Sequence, residues 1–366
     1  MSLKASLSLL SVALFPILTA CVSLNPYIES RGRKCPPFSG NFTVSAYQLY
    51  PENGDFDFNN CVLYTGNLWN SSLGVYDPYR NKIKVVEFEG ITHNPDLHLG
   101  GVQYNHNTNL LSIVVDAGAA FNTNGQDISG TNYIILWDPR SEKILYQHNL
   151  TTLTQGKYGA FQDIEHDPDD NTYVVGTFPS SIVKVSKSGK KVEPWYVNTS
   201  VNHTVAGYGG LATKGWTLIT NDQQTGSLYR FDMRAKRGTP TLIKVTPPHR
   251  FANTDAIQLP RRYKGTVLLV AELGIGFGVY RDKKAYWEEA EFLGLVEWKG
   301  DPGFFLTAPL QVGDGVYANL EPFGDPGLNG PGTAGNRTDF LYWDITAKVD
   351  ELLKNRTSGK DGVSRT

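Results

Sequence analysis

Three cysteines in 366 residues are too few for a disulfide-built fold, and a chain of this length can bury a core without one. An excess of charge of one sign is also missing, with 34 Lys plus Arg against 36 Asp plus Glu. So even a balance gives no electrostatic argument for nucleic acid or for an anionic membrane surface. Several catalytic signatures are absent: there is no G-x-S-x-G, H-E-x-x-H, C-x-x-C or G-x-x-x-x-G-K-S/T. Helical periodicity is scarce. Only Ala285 to Phe292 and Ile345 to Lys354 read as helices, the second as a C-terminal cap. The seven histidines are scattered, and His93, His98 and His106 match no pair of zinc ligands, so they read as structural.

What is present is aromatic and rich in turn formers. Phe, Trp and Tyr make up 12% of the chain, with 37 glycines and 20 prolines. The mixed apolar and charged content excludes general disorder, and Gly and Pro show no collagen-like period. This balance points to a β-rich globular protein.

The amino terminus reads as a secretory leader. Lys4 precedes an apolar run from Ala5 to Ala20, with small residues from Ala20 to Ser23 at the expected cleavage site. The run is broken by Pro16 and is shorter than the roughly 20 residues a membrane span needs. A signal peptide over residues 1–20 and a mature domain over 21–366 follow, with no membrane span in the mature chain. Sequons at Asn41, Asn70, Asn149, Asn198, Asn202, Asn336 and Asn355 agree with secretory passage. The expected destination is the secretory pathway, the protein being secreted or held in a vesicle or vacuole. Cleavage beyond Cys21 leaves Cys35 and Cys61 as an even pair, which an oxidising lumen favours as a disulfide. Two buried thiols are the alternative.

The rest of the chain alternates strand-length apolar runs with turn clusters. The runs cover 61–69, 110–118, 133–138, 172–178, 182–186, 217–222 and 266–273. The segments NPDLHLGG, DPDDN, KSGKK, RAKRGTP and GDPGLNGPGTAG read as loops by composition. Gly274 to Gly278 reads as a hairpin turn, since it sits between strands and opens no helix. A motif in which a strand closes on an aromatic and Asp recurs about every 50 residues, marked by Asp77, Asp138, Ser186, Asp232, Asp282 and Asp344. Asp at such a site caps a hairpin turn, and the aromatics pack between twisted sheets. A repeat of this length is that of a propeller blade. The expected fold is all-β, a six-bladed β-propeller in one domain with a short C-terminal helix; a stacked pair of β-sandwiches is the alternative.

A propeller gathers the starts of its inner strands around an axial funnel, so polar residues near those positions are the functional candidates. They are Gln103, Asp116, Asp163 with Glu165, Asn221 with Asp222, Asp255, Glu272, and Asn319 with Glu321. From this set Asp163, Asp255 and Glu272 are the candidate catalytic acids, and His166 is a candidate general acid near neutral pH. Gln103, Asn221, Tyr317, Asn319, Trp69 and Phe121 are the candidate substrate-binding residues. Together they describe an apolar pocket with a few convergent polar groups. Asp163, Asn221, Asp255 and Glu272 also have the oxygen chemistry of a calcium site, as in lactonase-type propellers. No compact ligand motif accompanies them.

Across nearly the whole mature chain, blade segments resemble a family of secreted fungal propeller proteins from secondary-metabolite clusters. The segments are Cys35-Pro36-Pro37, GNLWNSSLGVYDP (66–78), GGVQYN (100–105), IILWDP (134–139), FQDIEHDPDDNTYVVGTFPSSI (161–182) and LLVAELGIGFGVY (268–280). That family includes hetero-Diels–Alderases of tropolone-sesquiterpenoid pathways of the eupenifeldin and xenovulene type, and a related protein of the core trichothecene cluster. The resemblance implies a cycloaddition without cofactor or metal, joining a tropolone ortho-quinone methide to a humulene-type terpene. The implied partners are small hydrophobic polyketide and terpene substrates. No family motif fixes catalytic residues. A calcium-dependent lactonase and a secreted binding or virulence protein are the competing expectations.

Overall fold

The structure, a computed structural model, describes residues 35–199, 202–328 and 334–358. The leader expected at 1–20 and Cys21 lie outside the described residues. The described residues form one compact unit built from six sheets. Blade 1 comprises Pro51–Asp57, Val62–Asn67, Ser72–Asp77 and Lys82–Val86. Blade 2 comprises Leu97–Asn105, Leu110–Ala117, Tyr133–Asp138 and Lys143–Asn149. Blade 3 holds Gly159–His166, Thr172–Phe178, Ser181–Val185 and Val192–Val197, and blade 4 holds Tyr208–Lys214, Thr217–Asp222, Ser227–Asp232 and Thr241–Leu242. Blade 5 holds Thr254–Gln258, Val267–Glu272, Gly276–Arg281 and Glu289–Glu297, with Lys244–Thr246 added in parallel at its outer edge.

Blade 6 closes the ring. Phe305–Val312, Gly315–Glu321 and Asp339–Asp344 come from the end of the chain, and the fourth strand is Phe42–Ser45 from its beginning. The beginning and the end of the propeller therefore meet in one blade, held by the pairing of Phe42–Ser45 with Asp339–Asp344. Phe42 stacks on Tyr342 with ring centroids 4.6 Å apart and reaches Tyr76 of blade 1 at 5.7 Å. A disulfide joins Cys35 to Cys61, with Cα atoms 5.5 Å apart, and so ties the segment leading into the closing strand to blade 1. The six-bladed propeller is the architecture the repeat predicts.

The blade markers act as their chemistry requires. Asp77 accepts from the amides of Tyr79 and Arg80 at 3.0 Å, Asp138 from Arg140 at 2.9 Å, and Asp344 from Thr346 at 2.9 Å. Ser186, in the slot without Asp, accepts from the Lys191 amide at 3.0 Å. Between blades, aromatic and branched side chains fill the interfaces. Tyr64, Tyr104 and Trp137 join blades 1 and 2, and Tyr173, Trp195 and Phe231 join blades 3 and 4.

Two expectations are corrected. Ala285 to Phe292 is not a helix: its second half belongs to the strand Glu289–Glu297. The Asp282 carboxylate accepts from the amides of Lys284, Tyr286 and Trp287, winding the preceding residues into a turn. Ala285 and Trp287 take positive φ there, which a helix does not allow. NPDLHLGG is not all loop, because Leu97 to Gly101 opens the inner strand of blade 2. His98 within it is buried rather than solvent-facing, so composition misreads it. The C-terminal helix forms over Thr346–Ser358. Among the described residues no helix is long and apolar enough to cross a membrane.

Candidate functional site

All six inner strands share one irregularity. Each breaks register once against its own second strand: between Pro51 and Asn53, Leu99 and Val102, Phe161 and Asp163, Tyr208 and Leu211, Thr254 and Ile257, and Leu306 and Pro309. A bulge of this kind re-aims one side chain and frees backbone groups. Here the ring of bulges brings Glu52, Gly100, Gln162 and Asp255 to the wall of one axial cavity of about 330 Å³.

The floor of that cavity is polar and its mouth is apolar. Glu52, His98, Asp116, Gln162 and Asp255 form the floor. The mouth is made by Trp69, Phe121 and Phe323, with Leu68 and Leu328 beside them. These come from the loops that join second to third strands in blades 1, 2 and 6. The blade 2 loop folds into the short helix Ala119–Asn122, which presents Phe121. Trp69 and Phe323 meet edge to face at 5.8 Å, and both Phe121 and Phe323 keep more than a third of their surface exposed.

Burial dominates the electrostatics. Glu52 is held well above the ordinary carboxylate range, first by loss of solvent and then by the neighbouring acids Asp255, Asp163, Glu321 and Asp116, any ionisation of which disfavours its own. Asp116 is raised well above its usual value, and Asp255 is raised too, in both cases by burial. The His98 imidazole is pushed down to about 4 by burial and is neutral at pH 7. Glu52 Oε2, Asp116 Oδ2 and both ring nitrogens of His98 have no hydrogen-bond partner in the protein.

Two amides support this floor from behind. Asn221 Nδ2 donates to the carbonyl of Asp255 at 3.0 Å and to Thr254 Oγ1 at 2.8 Å, while its Oδ1 accepts from the Gly210 amide at 2.6 Å. Asn319 Nδ2 donates to the carbonyls of Pro51 and Glu52 at 2.5 and 2.8 Å. Each residue reaches from the second strand of one blade to the bulge of the next.

The sequence-derived candidates separate on this frame. Trp69, Asp116, Phe121 and Asp255 meet in the cavity, whereas Asn221 and Asn319 sit buried behind it. Asp163 bridges blades: its carboxylate accepts from the amides of Ile164 at 2.9 Å and of Leu211 at 2.8 Å, and burial holds it at about 7. Gln103 and His166 line a second cavity of about 410 Å³, together with Asp55, His106, Glu165 and Arg261. There Asp55 accepts from the Tyr104 amide at 2.9 Å and Glu165 from Thr213 Oγ1 at 3.0 Å, so both acids join neighbouring blades. Burial pushes His166 down to about 4, leaving it neutral and hydrogen-bonded to Ser112 Oγ at 2.9 Å. Glu272 pairs with His249 Nε2 at 2.8 Å, and Tyr317 is wholly buried beside Phe38 and Phe42.

Glu52, His98 and Gln162 are the floor residues that the sequence does not single out. Glu52 lies in PENGDFD, which has a turn-like composition yet forms a fully buried strand. His98 lies in the segment read as loop. The double glycines at 100–101 and 209–210 were the available signal, because each marks an inner-strand bulge.

A calcium site drawn from Asp163, Asn221, Asp255 and Glu272 does not fit these residues. The oxygens of Asp163 and Asn221 already accept backbone amides, and Glu272 faces His249. Among the described residues no group of three or more His, Cys, Asp or Glu side chains is arranged to hold a metal ion.

All the sequons at Asn41, Asn149, Asn202, Asn336 and Asn355 are exposed, and those at Asn70 and Asn198 are half-buried. The Asn70 side-chain amide donates to the Gln48 carbonyl at 3.0 Å.

Comparison with known proteins adds lineage to this geometry. The model of a family described as Mal s 1 allergenic protein-like matches residues 32–273. Trichothecene biosynthesis protein 14 of Trichoderma arundinaceum is 34% identical, over 92% of this chain and 98% of its own length. Core trichothecene cluster protein 14 of Fusarium sporotrichioides is 32% identical, over 90% of this chain and 91% of its own. Among solved structures, the major Malassezia sympodialis allergen Mala s 1 superposes with a TM-score of 0.72 at 20% identity, covering 84% of this chain and 96% of its own. That likeness speaks to the fold alone.

Proposed function

The chain belongs to the Mal s 1 allergenic protein-like family and is a homologue of trichothecene cluster protein 14, and on that premise we propose that it is an acid-assisted cyclase of secondary metabolism that needs no cofactor. The observation that carries this reading is the cavity itself. A carboxylic acid kept protonated by burial, Glu52, shares a floor with Asp255 beneath an aromatic mouth. Such a floor suits expulsion of a hydroxyl group as water, and such a mouth suits an apolar reactant.

The finer reading is a hetero-Diels–Alderase acting on a hydroxymethyl tropolone and a humulene-type sesquiterpene. The Glu52 carboxylic acid gives its proton to the departing hydroxyl as the C–O bond breaks. The Asp255 carboxylate takes the proton of the adjacent ring hydroxyl. Water leaves, and an ortho-quinone methide remains with no net change in protons. Addition of the alkene then forms one C–C and one C–O bond without further proton transfer, and exchange within the carboxyl pair restores the starting state. General acid assistance of this kind contributes about 10²- to 10⁴-fold. Holding both reactants in a near-attack pose adds several kcal/mol more, to order of magnitude. The rim of Trp69, Phe121 and Phe323 keeps bulk water from the quinone methide.

The test is turnover. The purified protein is mixed with a hydroxymethyl tropolone and humulene, with and without EDTA, and the adduct is followed by mass spectrometry. Faster adduct formation that disappears in Glu52→Gln supports the reading. Absence of acceleration overturns it, and so does acceleration that EDTA abolishes. Tight binding without turnover in the wild-type protein identifies a binding protein instead.

A further inference from the structure

The acid-assisted reading uses Glu52 and Asp255 and leaves two buried polar groups of the same cavity without a task. His98 and Asp116 stand directly opposite each other on the first two strands of blade 2, as partners in the antiparallel register. Side chains so paired share one face of the sheet, with Cβ atoms about 4.5–5.5 Å apart. His98 is 2% exposed and Asp116 is 1% exposed, and both line the cavity. Yet His98 Nδ1, His98 Nε2 and Asp116 Oδ2 have no partner in the protein. Buried polar groups are almost always paired, and a pair built for structure alone would satisfy itself.

Two glycines shape the space around these groups. A Cβ on Gly118 would lie 2.6 Å from the His98 ring, so only glycine lets the imidazole rest where it does. A Cβ on Gly100 would lie 3.3 Å from Glu52 Oε2 and 3.8 Å from Asp116 Oδ1. The missing side chain therefore opens a gap with Glu52 on one side and Asp116 on the other.

We infer that His98 and Asp116 form a second oxygen-binding subsite, so that the ligand is an apolar ring carrying two neighbouring oxygen functions, one at Glu52 and Asp255 and the other at His98 and Asp116. This inference rests on the proposed use of Glu52 and Asp255 only for the placement of the first oxygen. The neutral imidazole offers one donor and one acceptor. The Asp116 carboxyl, kept protonated by burial, offers a donor, and the two together match a carbonyl or hydroxyl oxygen. A ring with a single oxygen leaves one of the two polar groups buried and unpaired, which costs affinity.

Binding of tropolone and of tropone, which differ by one ring hydroxyl, tests this on the full chain at pH 6. Tryptophan fluorescence and calorimetry read the affinities. The wild-type protein is expected to bind tropolone at least about tenfold tighter, the worth of one well-placed hydrogen bond. His98→Phe and Asp116→Ala should bring the ratio close to one, whereas Asp116→Asn, which keeps a donor, should retain most of it. Gly100→Ala should weaken both ligands by narrowing the gap. Equal affinities in the wild-type protein, or a ratio unchanged in the folded variants, overturn the inference. Because no turnover is measured, tighter binding of tropolone by a wild-type protein that shows no cyclase activity would sink the proposed function and leave the subsite standing.

Discussion

Asn319 Nδ2 donates to the backbone carbonyl of Glu52 at 2.8 Å, across the junction between the last blade and the first. Asn319 is buried, and its other acceptors are the Pro51 carbonyl and Thr307 Oγ1. It fixes the bulge from which the Glu52 side chain enters the cavity. Asn319→Ala is expected to destabilise the protein by about 1–3 kcal/mol, the cost of leaving buried carbonyls unpaired. It should also lower kcat by more than it raises KM, since the acid loses its aim while the apolar mouth stays whole. Urea unfolding together with steady-state kinetics separates the two effects. Equal kcat in the variant would leave Asn319 a purely structural residue.

Glu52 itself should behave in the opposite manner. Its carboxyl is protonated in the folded state and Oε2 lacks a partner, so an uncharged amide of nearly the same shape suits the site well. Glu52→Gln is expected to change stability at pH 6 by less than about 1 kcal/mol while reducing turnover about 10²- to 10⁴-fold. Calorimetry and product formation on the same preparation check this. A large loss of stability would mean that the acid holds the ring together.

How far the sequence reveals such a site is uneven, and the reason is physical. The third strands were legible because their aromatic–Asp endings solve a local problem, the capping of a hairpin, within a few residues of chain. The blade count follows from them, and the C-terminal helix shows in the helical periodicity of Ile345 to Lys354. The inner strands were harder, since they face the axis and answer to other blades. PENGDFD looks like a turn, yet Asn53 and Asp55 bond across to Asp163 and Tyr104, more than forty residues away. Asp163 and Asn221 were legible as axial residues, but whether they face a ligand or a neighbouring amide is a property of three-dimensional register. The spacing of His98 to the other histidines fits no metal, whereas the residue it faces across the strands is Asp116.

Stability should fall as the pH rises from about 6.5 to 8, with the sign set by buried acids. Burial holds Asp55 and Asp163 at about 7 and Glu165 at about 8, against about 4 in the unfolded chain. Across this window the folded state binds more protons than the unfolded state, so unfolding free energy decreases with pH. Glu52, Asp116, Asp255 and Glu321, all raised by burial, act in the same direction. His98 and His166, held at about 4, and His106, at about 3, work against it, but only below about 6.5, where the unfolded histidines take up protons. Tm measured between pH 6.5 and 8 should drop by several degrees, and Asp163→Asn should flatten the slope. A Tm that climbs over this range would contradict the assignment of neutral buried acids.

The Cys35–Cys61 bridge should matter for ring closure more than for any one blade. It closes a 26-residue separation and lies directly before Phe42–Ser45, the strand that completes blade 6. In the unfolded chain the bridge restricts how far that strand can stray from blade 1, and a loop of this size is worth about 2–4 kcal/mol. In the folded chain, Phe42 binds the same junction through its stacking on Tyr342 and Tyr76. The Cys35→Ser, Cys61→Ser double variant is therefore expected to unfold earlier in urea by this amount and to refold to the same propeller. Phe42→Ala should add a further loss of about 3 kcal/mol, and hydrogen exchange should show it first in the amides of Phe42–Ser45 and their partners on Asp339–Asp344. If exchange instead rises equally in all six blades, the ring has no preferred point of opening and the closing strand is no weaker than the rest.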